Sequence, residues 1–462
     1  MTSLDSRRRP LRSRLATGAG RLARSASRML GRGSGGMIGG EVALALDPRV
    51  LSELAAGVRC VTVTGTNGKS TTNRMVRAAL ATIPSEDPGT RPGGSPSSIA
   101  SNVNGDNMPP GIVTAFMSAP GARIAALEVD EMHLPAVARD VDPAAIVLLN
   151  LSRDQLDRVG EIGAVERRLR QAVTAHPGAA VVANCDDPLI ASAAWDAPRV
   201  VWVAAGSGWG LDSVGFPRGG RVVRSRDEGG HWRVVSDSGE DTAYRRPVPD
   251  WWLEEPHAGT AADGAAHPGA HAVLCGPDGL RLPLRLSLPG RANLGNAAQA
   301  VAAAVSLGAD PRDAAAAVGA VREVAGRYAH YDVEGRDVRM MLAKNPAGWQ
   351  EALTMVDVDA DQVVVAVNGQ VPDGQDLSWL WDVDFAVLDR GRPRTVIATG
   401  ERGADLAVRM EYAGLTWGRA DAPMDAIRAC RPGHVELLAN YTAFRDLKRA
   451  LDARAPRPDE ET

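Results

Sequence analysis

One stretch, Val61-Thr62-Val63-Thr64-Gly65-Thr66-Asn67-Gly68-Lys69-Ser70-Thr71-Thr72, constrains this chain more than any other. The apolar, β-branched run over 58–63 reads as a buried strand. It breaks into a loop of small residues, and 73–81 then reads as a helix. Strand, Gly-rich loop and helix with Gly-Lys-Ser at the junction make a phosphate cradle. Backbone N–H groups and the helix N-terminus face an anion, Lys69 adds a point charge, and the Ser70 or Thr71 hydroxyl can ligate Mg²⁺. Val63 stands where the longer G-x-x-x-x-G-K-[ST] pattern has its first glycine, so the loop is the shorter Gly-Thr-Asn-Gly-Lys-Ser form. A structural turn would account for the glycines, but not for a lysine directly after a buried strand. Gly65, Thr66, Asn67, Gly68, Lys69, Ser70 and Thr71 are therefore expected to bind ATP through its phosphates.

The pattern downstream agrees. Ile124-Ala125-Ala126-Leu127-Glu128-Val129-Asp130-Glu131 is an apolar strand ending in acids. The run over 144–149 is another, followed by Asn150-Leu151-Ser152-Arg153-Asp154-Gln155-Leu156-Asp157. A third, over 179–183, is followed by Asn184-Cys185-Asp186-Asp187-Pro188. Apolar strands with polar residues at their carboxyl ends are the signature of a parallel α/β sheet, whose ligands bind at those ends. The Asn- and Gly-rich segment 101–108 suits a loop near a ligand, although turn chemistry alone also explains it. From Tyr328 a second α/β domain is legible, with strands over 338–343, 362–367, 395–399 and 435–439. Gly290-Arg291-Ala292-Asn293-Leu294-Gly295-Asn296 opens an Ala-rich helix to about residue 307, and 314–324 reads as the last helix before the domain joint.

Length and charge set the outer bounds. A chain of 462 residues has room for two or three domains, and its net charge of −4 points to no polyanion, so no nucleic-acid partner is expected. Lys69, Lys344 and Lys448 are the only lysines, and the first two lie inside motifs. Cys60, Cys185, Cys275 and Cys430 show no metal or disulfide spacing, which reads as a reducing interior. No run approaches the roughly 20 apolar residues of a membrane-spanning helix. Residues 7–32 carry nine arginines and no acid, with Leu11, Leu15, Leu22, Ala26 and Met29 at helical spacing. Three readings stand: a targeting peptide, though it has no long apolar segment; a basic amphipathic helix on an anionic membrane; or a solvated helix packed on the core. Residues 33–40 read as a flexible joint.

The loop Gly-Thr-Asn-Gly-Lys-[Ser/Thr] resembles the ATP-binding loop of the Mur ligases and the related folylpolyglutamate synthases. Those enzymes activate a carboxylate with ATP and form an amide. The resemblance implies an α/β chain: a Mur-ligase-type central P-loop ATPase domain with a parallel sheet and a small β-rich insertion, and a smaller C-terminal α/β domain. The domains are expected at 1–40 (basic helix and joint), 41–326 (ATP-binding, with an insertion over 202–276) and 327–462. The stretch before the phosphate loop is too short for the first domain that holds a UDP-linked substrate in typical members, which suits a lipid-linked precursor instead. Residue by residue, the resemblance implies that Glu128 and Ser70 hold Mg²⁺, Asn296 contacts adenine, Arg327 reaches nucleotide phosphate, and Lys344 contacts nucleotide or substrate.

Three runs resemble one branch of the family, the synthetase subunits that amidate lipid II. Gln155, flanked by Arg153, Arg158, Gly160 and Glu161, replaces the family's metal-ligating His, which puts a second Mg²⁺ in question. No lysine lies in 161–175 to carry the carbamate that amino-acid-adding members use. The runs Met341-Leu342-Ala343-Lys344-Asn345-Pro346 and Asp373-Gly374-Gln375-Asp376-Leu377-Ser378-Trp379-Leu380-Trp381-Asp382 match the same branch. There the acid in the Asp376 place faces a partner glutaminase and supports its Cys–His pair. The branch often has a zinc ribbon in the insertion; here Gly215-Phe216-Pro217-Arg218-Gly219-Gly220 lacks the cysteines, a structural site needs four ligands, and no zinc is expected. Trp232, Trp251 and Trp252 would pack the insertion. No cysteine has a nucleophile-elbow setting, so ammonia is expected from a separate GatD-like glutaminase subunit in a heterodimer. The catalytic set is then Lys69, Glu128 and Asp376, in a cytoplasmic enzyme working at the inner membrane face. A stand-alone folylpolyglutamate-type ligase and a non-catalytic nucleotide-gated scaffold are the competing readings.

Overall fold

The computed structural model describes residues 10–29, 36–84, 99–102, 105–152, 162–206, 213–225, 231–254, 270–322, 328–357, 359–374, 376–389 and 394–454. The described chain divides into two compact units, one running to Leu151 and resuming over 162–322, the other covering 328–454.

The first unit opens with α1 (Leu11–Met29), α2 (Gly36–Leu46) and α3 (Val50–Ala55). Its centre is a six-stranded parallel sheet of β1 (Arg59–Thr64), β2 (Ala100–Ser101), β3 (Ile124–Glu128), β4 (Ala145–Leu148), β5 (Ala180–Asn184) and β6 (Val200–Val203), in the order β2-β3-β1-β4-β5-β6. β1 sits between β3 and β4, with Val63 level with Glu128 on one side and Val147 on the other. Its residues from Cys60 to Thr64 are buried on both faces, as a near-continuous apolar run requires of a central parallel strand. The strand order reverses around β1, so the crevice for a ligand opens at the carboxyl ends of β1, β3 and β4. The connecting helices are α4 (Lys69–Leu80), α5 (Pro109–Ser118), α6 (Leu134–Val141), α7 (Ile162–Ala175) and α8 (Pro188–Ala194).

The segment expected as an insertion does several things. Trp202 belongs to β6 of the main sheet. A three-stranded antiparallel ribbon follows, of β7 (Arg221–Arg224), β8 (Trp232–Val235) and β9 (Asp241–Arg245). A second is made by β10 (Trp252–Glu254), β11 (His271–Cys275) and β12 (Arg281–Arg285), so the sheet containing 271–275 extends past residue 276. Aromatic contacts hold the first ribbon on α8: Phe216, Trp232 and Val234 cluster with Ala191, and Phe216 and Tyr244 lie 4.9 Å apart. Trp251 and Trp252 pack elsewhere; Trp251 bridges to Val203 and covers Gly276. The unit ends with α9 (Arg291–Ser306) and α10 (Pro311–Gly319), which pack with α4. α9 is buried continuously from Asn293 to Ala304, and its alanines let neighbours approach all round. α10 begins earlier than the apolar pattern suggests, because Asp310 caps it by accepting the N–H groups of Arg312 and Asp313, with Pro311 as the first helical residue.

The second unit is a six-stranded sheet, β13 (Tyr328–Asp332), β14 (Arg336–Leu342), β15 (Gln362–Ala366), β16 (Thr395–Thr399), β17 (Thr416–Arg419) and β18 (Gly433–Ala439), in the order β13-β14-β18-β15-β16-β17. Only β13 is antiparallel. α11 (Pro346–Thr354), α12 (Gly403–Tyr412), α13 (Pro423–Ala429) and α14 (Tyr441–Asp452) cover it. Two cores result, one around fully buried Trp349, which stacks on Trp379 at 5.6 Å, and one around Phe444 and Leu447.

Candidate active site

The phosphate loop joins β1 to α4 with no spacer. Gly68 adopts φ +82°, a left-handed turn that lets α4 begin at Lys69, four residues before the apolar periodicity starts. The N–H groups of the first helical turn thus face the loop's mouth, where an anion is stabilised. Gly65 is also left-handed, and a Cβ there would lie 2.9 Å from Asn150 N and O. That closeness has a purpose in the local bonding. Thr66 N–H donates to the Asn150 carbonyl at 2.9 Å, Asn67 N–H to Asn150 Oδ1 at 2.9 Å, and Asn150 Nδ2 donates back to the Asn67 carbonyl at 3.0 Å. The end of β4 therefore braces the loop in shape.

Lys69 Nζ donates to the Gly65 carbonyl at 2.6 Å and to both carboxylate oxygens of Glu131 at 3.2 Å. Glu131 carries no signal in the sequence beyond lying in an acidic strand end; only the fold brings it to the lysine. Glu128 ends β3 and is buried. Its backbone N–H donates to Asn102 Oδ1 at 2.9 Å, Asn102 Nδ2 donates to its carbonyl at 2.7 Å, and Asn107 Nδ2 reaches its Oε1 at 3.5 Å. The loop carrying these asparagines also lies alongside Ser70, since a Cβ on Gly105 would come within 3.9 Å of the Ser70 hydroxyl. One buried carboxylate and one hydroxyl at a phosphate loop form the sparse oxygen set that Mg²⁺ takes when phosphates and water complete its shell, so these residues fit that ion. Among the described residues, no group of three or more His, Cys, Asp or Glu could hold a metal by itself.

Behind the site, Asp187 caps α8 and ties it to β4's extension, accepting from Leu151 N at 2.8 Å as well as from Leu189 and Ile190 N–H. Burial pushes its carboxyl up to about 6 against those three donors. Asn296 is buried on α9, and its amide lies over Gly68, 2.8 Å from where a Cβ would be. It donates to Asn293 Oδ1 at 3.4 Å, while Gln299, one turn on, donates to the Leu148 carbonyl at 2.9 Å. The structure thus brings Gly65 to Thr71, Glu128 and Asn296 together. Gln155 and its run, Gly326 and Arg327 lie outside the described residues.

In the second unit, Lys344 is exposed at the carboxyl end of β14, its Nζ 5.2 Å from the centre of the Tyr441 ring. Neighbouring strand ends are locked: Asn368 N–H donates to Asn440 Oδ1 at 3.0 Å, and Asn440 Nδ2 to the Asn368 carbonyl at 2.7 Å. Asp376 is exposed on the rim of a hollow of about 530 Å³ shared with Ser378, Trp381, Arg402 and Asp405. The Ser378 backbone N–H, at 2.8 Å, and its hydroxyl hold the Asp376 carboxyl below the usual range. The tryptophans beside it part company. Trp379 is buried on Trp349, whereas Trp381 is 55% exposed, edge-on to Tyr412. Asp373 is structural, accepting both the N–H and the hydroxyl of Thr442 at the start of α14.

All four cysteines are buried free thiols. Burial pushes Cys60 and Cys185 up to about 12 and also raises Cys275 and Cys430, so none offers the accessible thiolate of a nucleophile.

Two family models match the chain: the Mur ligase middle domain over residues 63–207, and the MurT ligase C-terminal domain over 342–444. Among curated proteins, the lipid II isoglutaminyl synthase (glutamine-hydrolyzing) subunit MurT of Streptococcus pneumoniae is 27% identical, covering 96% of this chain and 98% of that protein. The protein of the same name from Staphylococcus aureus (strain N315) is 26% identical over 85% of this chain and 86% of its own. Among solved structures, MurF from Acinetobacter baumannii aligns with a TM-score of 0.60 at 16% identity, covering 89% of this chain and 80% of that one. MurF from Thermotoga maritima, solved with ADP, aligns at 0.56 with 15% identity over 89% and 85%. These two show the shared fold.

Proposed function

We propose that this chain, similar to the MurT subunits over most of its length and matched by the MurT C-terminal model, is a Mur-ligase-type synthetase subunit of a lipid II amidating enzyme. It is an ATP-dependent amide ligase of peptidoglycan synthesis. Its reaction converts the α-carboxylate of D-glutamate in the lipid II stem peptide to D-isoglutamine.

ATP is bound with its phosphates over Gly65 to Thr71. A D-glutamate carboxylate oxygen attacks the γ-phosphorus, ADP leaves, and an acyl phosphate results. Lys69 exchanges its contact with Glu131 for the phosphates and offsets charge on the transferred group. Glu128 and Ser70 would hold Mg²⁺, which would supply positive charge to offset the negative charge of the phosphates. Ammonia then attacks the acyl carbon, phosphate departs with the original carboxylate oxygen, and loss of a proton leaves the amide. Asn296 contributes to nucleotide binding beside the loop, and Lys344 and Arg327 are assigned as further contacts.

The observation that carries this reading is a braced ATP cradle in a chain whose four thiols are all buried. It can energise a carboxylate, but none of its thiols is exposed to free ammonia from glutamine. A GatD-like glutaminase supplies the nitrogen, docked at the Asp376 hollow, where the exposed Trp381 and Tyr412 give an aromatic contact surface and Asp376 positions the partner's Cys–His pair. The enzyme works at the inner face of the cell membrane, where its lipid-linked substrate is. Glu128→Gln tests the assignment: amidation by the complex is expected to fall by about a hundredfold or more, with glutaminase binding intact by size-exclusion chromatography. Wild-type rates in Glu128→Gln would remove Glu128 from the site.

A further inference from the structure

Helix α1 is amphipathic in an unusual sense. Its inner face is made of small residues: Ser13, Ala16, Thr17, Gly20 and Ser27 are buried. Gly20 meets Gly39 of α2 so closely that a Cβ on Gly20 would sit 2.5 Å from the Gly39 carbonyl oxygen, and one on Gly39 would sit 2.9 Å from that of Gly20. Three arginines add fixed points. Arg12 donates to the Leu46 carbonyl at 2.8 Å, Arg21 to the Met117 carbonyl at 3.1 Å, and Arg24 to the Ser118 hydroxyl. The helix cannot roll about its axis without breaking these contacts.

That fixed orientation turns its large apolar residues outward. Leu11, Leu15, Leu22 and Met29 are 74%, 73%, 73% and 88% exposed. At 3.6 residues per turn they fall within an arc of about 40°. Gly18 and Ala26, also exposed, flank the arc, and Arg14 and Arg21 on one side and Arg12 on the other border it. The sequence from 7 to 32 holds no acid. The fold therefore spends the small residues on packing and leaves the leucines to water, the reverse of an ordinary surface helix.

We propose that this face of α1 docks on an anionic lipid bilayer. The helix lies in the membrane plane, with Leu11, Leu15, Leu22 and Met29 in the acyl boundary and the exposed Arg14 at its border against lipid phosphates. No described helix is long and apolar enough to cross a membrane. A second copy of the chain is a poorer occupant, because pairing the stripes would bring the bordering arginines face to face. The proposal stands on the geometry of α1, and its test needs neither ATP nor lipid II, so it can fail without touching the amidation reading.

The full-length protein is centrifuged with vesicles of phosphatidylcholine alone, or of phosphatidylcholine mixed with phosphatidylglycerol. Co-sedimentation with the mixed vesicles, reversed by salt, is expected. The double variant Leu15→Glu/Leu22→Glu, at two solvent-facing positions, is expected to bind at least about tenfold more weakly, with unchanged circular dichroism and melting temperature. Wild-type protein that stays in solution, binds both vesicle types equally, or binds no better than the double variant would overturn the proposal. So would a dimer that the double variant dissociates.

Discussion

Lys69 rests on three acceptors: the Gly65 carbonyl at 2.6 Å, the Thr66 carbonyl at 3.3 Å and the Glu131 carboxylate at 3.2 Å. The pair is about one-eighth exposed on each side, sheltered enough to hold the ammonium in place yet open enough for a phosphate to compete. An incoming triphosphate must take Nζ from Glu131. Glu131→Gln removes the competing charge while keeping an acceptor, and should tighten binding of a non-hydrolysable ATP analogue about threefold to fivefold, in line with a partly screened ion pair. Fluorescence or calorimetric titration reads this directly; weaker binding in Glu131→Gln would show instead that the carboxylate serves the nucleotide. The glycines impose the opposite test. Gly68→Ala places a Cβ against the Asn296 amide at a left-handed φ, and is expected to cost about 1–2 kcal/mol in denaturant stability and to abolish nucleotide binding.

Elements show where sequence reading works and where it fails. Strand cores in both units were legible, because a parallel strand buried on two faces leaves an unbroken apolar run, as in β1, β4 and β15. Element starts were less so. Periodicity placed the helix after the phosphate loop at 73 and the last helix of the unit at 314. The caps instead decide: a left-handed Gly68 starts α4 at Lys69, and Asp310 with Pro311 starts α10. Of the site, Lys69, Ser70 and Glu128 were legible because each is local to a motif. Glu131, Gln299 and the bracing role of Asn150 were not, because their partners lie across the fold: 62, 151 and 83 residues away. The face that α1 buries was also hidden, since apolar spacing points to its leucines.

β18 carries an electrostatic test of its own. Glu436 is fully buried and meets Arg339 at 2.7 Å and His434 Nε2 at 2.9 Å. Burial pulls the His434 pKa down, but hydrogen bonds to Glu436 and Asp337 outweigh it and hold the imidazole above its ordinary 6.5. A raised folded-state value means the folded unit binds the proton more tightly than the unfolded chain. The stabilisation is therefore complete below the unfolded value of about 6.5 and is lost as pH rises through the folded value. Chemical denaturation should show the second unit losing stability as pH rises above the unfolded value of about 6.5, and His434→Gln should flatten that slope. A slope unchanged in His434→Gln would assign it to another group.

At the scale of the whole molecule, two α/β units carry two kinds of chemistry. The first holds a phosphate cradle, a buried strand-end carboxylate and a helix whose apolar face looks to solvent. The second presents an acid and an exposed tryptophan around one hollow. The chain's four thiols are buried, where a thiolate is disfavoured. On the proposed function, activation of the acid and release of ammonia belong to different polypeptides. The most direct measurement gives the purified chain, with no second protein, ATP, Mg²⁺ and lipid II together with either an ammonium salt or glutamine, and follows D-isoglutamine by mass spectrometry. Amide is expected from ammonium, and none from glutamine until the glutaminase is added. Amide made from glutamine by this chain alone, or none from ammonium at any concentration, would contradict the proposed function.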